Sequence, residues 1–244
     1  MSKFFILFLL LSTILGAESV VVPTMNFELG SPETPAQLVS SLNVLVVLTL
    51  LFLAPSMILV MTTFTRFVIV FGFLRQALGT QQVPPTQLLI MLAMTLTFFV
   101  MEPVGTKAYE VGIKPYIEEK IGYEEAFVKT TLPFKNFMIR NTREKDLALF
   151  LRIRKMENPA TVDDVPLSII IPAFVISELK TAFEIGFLLF LPFLVIDMVV
   201  ASILMSMGMM MLPPVMIALP FKILVFVLID GWNLLIGNLI ASIK

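Results

Sequence analysis

Four strongly apolar runs, residues 42–65, 86–101, 185–207 and 212–232, leave this chain few ways to fold. A backbone inside lipid must close its own hydrogen bonds, so such runs become helices packed against one another in a membrane. The composition agrees, with 58% of 244 residues hydrophobic and 14% charged. That balance belongs to an integral membrane protein. There is no histidine and no cysteine. Thiol nucleophiles, disulfides, the usual zinc and haem ligands and histidine-based triads are therefore excluded. A net charge of -1 points neither to nucleic acid nor to a basic membrane-surface module. No cofactor, metal or catalytic residue is expected.

The apolar runs form two pairs around a different middle, so the expected fold is all-α. Two long helical hairpins with kinked hydrophobic helices flank a mainly helical charged domain. The start, "MSKFFILFLLLSTILGAES", has one lysine, an apolar run over residues 4–15, and small residues at Gly16, Ala17 and Ser19. The run is too short to span, so residues 1–19 read as a cleaved secretory signal rather than a first membrane helix. Ala17-Glu18-Ser19 fits the small-x-small rule better than Leu15-Gly16-Ala17.

A polar N-terminal segment, residues 20–41, leads to the first hydrophobic hairpin, residues 42–103. Residues 66–85 read as its connection, with Arg66 and Arg75 as the only charges, which the positive-inside rule places in the cytoplasm. Residues 104–168 then form a periplasmic domain, and residues 169–244 a second hydrophobic hairpin with a methionine-rich loop. Residues 104–165 hold 21 of the chain's 35 charged residues, so this domain is solvated.

Within it, "NTREKDLALFLRIRKMENP" has the pattern of an amphipathic helix. Asn141 or Thr142 would cap it, Leu147, Phe150 and Leu151 would share a face, and Asn158-Pro159 would end it. That face either packs on the domain's own core or, with Phe137 nearby, docks onto a neighbouring copy. A domain of this size has a marginal core, which lends weight to docking.

Polar residues are stranded in the apolar runs: Asp197, Lys222, Asp230, Glu178, Lys180 and Glu184. A lone charge at mid-bilayer costs roughly 2.5 to 3.5 kcal/mol on insertion scales, so these should face protein or water. If the last two runs turn near Gly208, Asp197 and Lys222 come within about one helical turn of the same level. An Asp197–Lys222 ion pair is predicted, within one chain or between copies. It would either fix packing or belong to an ion path or moving gate. An aspartyl protease would need Gly-x-Gly-Asp, and Leu228-Ile229 precede Asp230 instead. Pro55, Pro192 and Pro220 fall inside the apolar runs and should bend them. Residues 86–101 make about 24 Å of helix against a bilayer core of about 30 Å. Hydropathy therefore overstates how much of the chain spans.

The stretches "PAFVISELKTAFEIGF" and "LPFLVIDMVVASILMSMGMMMLPP" resemble the two signature regions of the FliP family, flagellar biosynthesis proteins of the type III export apparatus. "FTRFVIVFGFLRQALGTQQVPPTQ" is similar to that family's first helical hairpin, and the likeness covers residues 42–240. The resemblance implies a pore-forming core subunit of the export gate in the bacterial inner membrane, at the flagellar basal body. Copies would assemble as a homo-oligomer, a pentamer, into a helical pore complex with FliQ and FliR, above FlhA and FlhB. Unfolded flagellar proteins would pass through, driven from elsewhere in the apparatus. The resemblance also implies hairpins lifted out of the membrane plane; Phe137, Arg143, Phe150 and Glu178 are the subunit-interface candidates. The signal-like start and the large periplasmic segment favour a flagellar member over the related virulence injectisome.

The stretch "ILMSMGMMMLPP" puts Met205, Met207, Met209, Met210 and Met211 beside Gly208 and stops them with Pro213 and Pro214. Methionine is apolar and adaptable, so such a ring could close a pore and part around any passing chain. Gly208, Pro213 and Pro214 would act as the hinge that keeps "MGMMM" a loop. Ordinary core packing is the other reading, and the family resemblance implies the gasket. Two further classes stay open. One is an ion-coupled transporter built on the buried Asp197–Lys222 pair, and the other is a scaffold with no gate.

Overall fold

The computed structural model describes residues 35–80, 83–156, 164–209 and 212–244. The proposed signal segment and Asn158, Pro159, Met210 and Met211 lie outside the described residues. Among the described residues every regular element is a helix. The chain divides into two units, Met1–Thr49 and Leu50–Lys244. The first helix, α1 (Pro35–Val60), crosses that boundary. Every later helix belongs to the second unit.

The stretch read from sequence as a cytoplasmic connection is largely a buried helix, α2 (Phe64–Leu78). Phe67, Val70, Phe71, Leu74 and Leu78 recur at helical spacing, and Arg66 lies on the same buried face. This periodicity outweighs two charges as a structural signal. The helix stops at Gly79, whose left-handed φ of 77° closes the last turn.

The second apolar run also continues past its expected end. Helix α3 (Thr86–Ala108) passes through Pro103, a π-helical turn over Tyr109–Ile113 follows, and α4 (Lys114–Ile117) completes it. The continuous stretch Thr86–Ile117 has 32 residues, twice the sixteen counted from sequence. The π-turn brings Gly112 so close to Thr130 that an added Cβ would meet backbone as well as side chain.

Helices α5 (Tyr123–Asn141) and α6 (Glu144–Ile153) carry most of the charged segment. Neither Asn141 nor Thr142 caps α6, because both turn back on α5. Thr142 Oγ1 donates to the Met138 carbonyl at 2.7 Å, and Asn141 Nδ2 donates to that of Phe137 at 2.9 Å. Such back-bonding competes with a capping role. The start of α6 is instead tied to α7 (Leu167–Ser206). The Arg143 N–H donates to Ser177 Oγ at 3.0 Å, and Ser177 Oγ donates to Asp146 at 2.7 Å.

Helix α7 has 40 residues and runs through Pro172 and Pro192, so the third apolar run begins well before residue 185. After the methionine turn come α8 (Pro214–Leu228) and α9 (Gly231–Ala241), bent by 65°. Asp230 supplies the bend with φ of 51° and accepts a 3.2 Å hydrogen bond from Asn233. By length and composition two of the described helices can cross a membrane, or three if the bent pair counts as one span.

Two apolar clusters form. One gathers Phe67, Phe71, Leu74, Ala182, Phe193 and Phe226. The other gathers Phe137, Met138, Leu151, Ile170 and Phe174, with Leu147 and Phe150 packed against it. The amphipathic face of α6 is thus used in the chain's own core.

Candidate functional site

The buried charges sit where α2 meets the later helices. Lys222 projects from α8 and is 2% exposed, while Asp197 on α7 is 30% exposed. The Lys222 ammonium donates to Asp197 Oδ2 at 2.6 Å and to the Ala77 carbonyl at 3.0 Å. Ala77 lies in the last turn of α2, where carbonyls lack helical partners and the dipole favours a cation. One ammonium thus joins three helices. The other carboxylate oxygen, Asp197 Oδ1, is shielded from solvent and has no hydrogen-bond partner among the described residues.

A second joint lies at the opposite end of α2. Arg66 and Glu178 are both buried, and they form a two-pronged pair. Arg66 Nε donates to Glu178 Oε2 at 2.8 Å and Nη2 donates to Oε1. The remaining nitrogen, Nη1, donates to the Ser242 carbonyl at 3.0 Å and its hydroxyl at 2.8 Å. A planar guanidinium is suited to this because its donors form a fixed fork. The sequence reading missed the pair by treating Arg66 as a topology marker. The available signal was its place on the apolar face of α2, which required burial and hence a carboxylate.

The four interface candidates separate accordingly. Phe137 is 3% exposed and its ring meets that of Phe174 edge-on at 6.2 Å. Glu178 is closed off by Arg66. In the single chain, then, neither offers a face to a neighbouring copy, because both fill its own core. Phe150 is half-buried against the second cluster. Arg143 remains partly open and donates to Glu184 Oε1 at 3.1 Å and Thr181 Oγ1 at 3.3 Å. The hydrogen bond to Glu184 pushes its guanidinium further above the ordinary arginine value.

The methionine turn closes the far end of α7. Gly208 takes φ of 74°. Its N–H donates to the Met205 carbonyl at 3.1 Å, and that of Met209 donates to Leu204 at 3.0 Å. This is a Schellman closure, with glycine where a left-handed residue is needed. Met205 still belongs to α7, and the turn begins at Met207, where the sequence placed the start of the loop. Met205, Met207 and Met209 are 57%, 66% and 39% exposed. Pro213 precedes α8 and Pro214 is its first residue, where a missing N–H costs nothing.

These features define a helical integral membrane protein whose buried charges join its helices and whose methionines cap two of them. The family model for the FliP family matches residues 47–239. A "Flagellar biosynthetic protein FliP" from Bacillus subtilis (strain 168) is 53% identical over 212 residues, covering 87% of this chain and 96% of that one. The protein of that name from Caulobacter vibrioides is 50% identical over 228 residues, covering 93% and 84%. The Aquifex aeolicus one is 46% identical over 223 residues, covering 91% and 92%. The chain belongs to the FliP family.

Proposed function

We propose that this chain is a pore-forming core subunit of the flagellar type III protein export gate, with its methionine turn sealing the closed pore. Family membership makes it a flagellar biosynthesis protein of the export apparatus. The finer reading rests on one observation: three exposed methionines, Met205 at the end of α7 and Met207 and Met209 on the glycine-closed turn between two apolar helices. In a lone chain this surface would be costly, whereas around a shared axis it closes on itself. Unfolded flagellar proteins would pass once the methionines part.

On this proposal the chain acts in the inner membrane at the flagellar basal body, with the charged domain in the periplasm. It assembles as a pentamer with FliQ and FliR, above FlhA and FlhB. An ion-coupled transporter would need Asp197 or Lys222 free to exchange partners. Lys222 is instead held by two bonds, one of them to a helix-terminal carbonyl, which favours a structural joint.

The native mass of the detergent-solubilised chain, alone and then coexpressed with FliQ and FliR, tests assembly. A discrete multi-copy complex that gains both partners is expected. A monomer that ignores them overturns the gate.

A further inference from the structure

We propose that a cleft between the end of α3, the end of α5 and the C-terminal residues binds the headgroup of an anionic phospholipid. The cavity is about 690 Å³, and its wall carries the side-chain cations Lys107, Arg140 and Lys244 and one side-chain carboxylate, Glu102. None of the three cations enters an ion pair among the described residues. All three are exposed, and gathered round one hollow they leave it net positive.

Its position fits a headgroup. The apolar part of α3 ends at Met101, and Glu102 and Lys107 follow within two turns. If α3 crosses the membrane, these charges lie on the side where its apolar stretch ends. Phe99 and Ile243 line the same cleft, and Phe98 and Phe99 are exposed along the α3 surface leading to it. Acyl chains would lie on those rings while the phosphate meets Arg140 and Lys107. A guanidinium offers paired donors to phosphate oxygens, and basic pockets between membrane helices select anionic headgroups. The third cation is positioned by its backbone. The Lys244 N–H donates to Asn141 Oδ1 at 3.0 Å, and its carbonyl accepts from Asn141 Nδ2 at 3.2 Å. By contrast, the groove of about 410 Å³ between α7 and α8 is lined by apolar residues alone, such as Val195, Ile203 and Phe221, and offers a headgroup nothing.

The test uses the full chain in nanodiscs of equal parts phosphatidylcholine and phosphatidylglycerol, followed by mild detergent extraction and native mass spectrometry of the retained lipid. Wild type should keep phosphatidylglycerol over phosphatidylcholine. The double variant Lys107→Gln/Arg140→Gln should lower that retention about tenfold. Glu102→Gln, which removes the opposing charge, should raise it, so a loss cannot be put down to misfolding alone. Lys120→Gln/Lys129→Gln, at exposed cations outside the cleft, should change nothing. Equal retention by wild type and the double variant, or equal retention of the two lipids, overturns the proposal. So does displacement of phosphatidylglycerol by millimolar inorganic phosphate, which would make this a site for free anions.

Discussion

Lys222 reaches Asp197 at 2.6 Å, and the same ammonium holds the Ala77 carbonyl at 3.0 Å. The two bonds make the partners unequal. Lys222→Ala strands a carboxylate and frees a helix-terminal carbonyl, whereas Asp197→Ala leaves the lysine one partner. We expect Lys222→Ala to lower the thermal midpoint in detergent more than Asp197→Ala does. Loss of one member of a buried pair costs about 3 to 5 kcal/mol. The swap Asp197→Lys/Lys222→Asp restores charge balance but cannot donate to Ala77, so its rescue is partial. Full rescue would show that the bond to Ala77 contributes nothing.

Arg66 makes four hydrogen bonds from one guanidinium, to Glu178 and Ser242. Lysine keeps the charge without the fork. Arg66→Lys should therefore fall between wild type and Arg66→Ala in thermal midpoint. Arg66→Ala should lose about 3 to 5 kcal/mol. An Arg66→Lys chain as stable as wild type would show that charge alone suffices.

Two glycines are close approaches of different kinds. A Cβ at Gly186 would run into the ring of Phe73, a side chain, whereas one at Gly112 would meet the backbone of Thr130. Each alanine substitution should cost about 1 to 3 kcal/mol as overpacking. Phe73→Ala should relieve Gly186→Ala, while Thr130→Ala should fail to relieve Gly112→Ala. A double-mutant cycle on thermal midpoints reads both, and rescue at Gly112 would contradict the backbone contact.

Met205, Met207 and Met209 are exposed in the single chain. Replacing all three with alanine should leave its folding stability within about 0.5 kcal/mol per site. The same variant in the reconstituted complex should raise ion conductance. Unchanged leak would remove the gasket.

The helices of the apolar runs were legible, but their limits were not, and α2 lay in a stretch read as a connection. From sequence Pro103 stands at the end of the first hairpin and Pro172 near the start of the second, yet the helices continue through both, as through Pro192. A proline in a membrane helix is tolerated where neighbours satisfy the freed carbonyl, and neighbours are a property of the fold. The level of Asp197 against Lys222 was accessible because a single turn separates them in the chain. Arg66 and Glu178 are 112 residues apart. Two charges in separate runs carry no sequence mark that says which will meet. Likewise, Asn141 and Thr142 are good capping residues whose side chains serve the preceding helix instead.

The length of α7 has a mechanical meaning. Forty residues at 1.5 Å each give about 60 Å, some twice the roughly 30 Å hydrocarbon thickness of a bilayer. A rod set upright in a membrane must therefore leave it with half its length. Its start and its middle belong to different clusters, Ile170 and Phe174 in one and Ala182 and Phe193 in the other. A tilt at the methionine end is then carried, as by a lever, to the helices packed round its base.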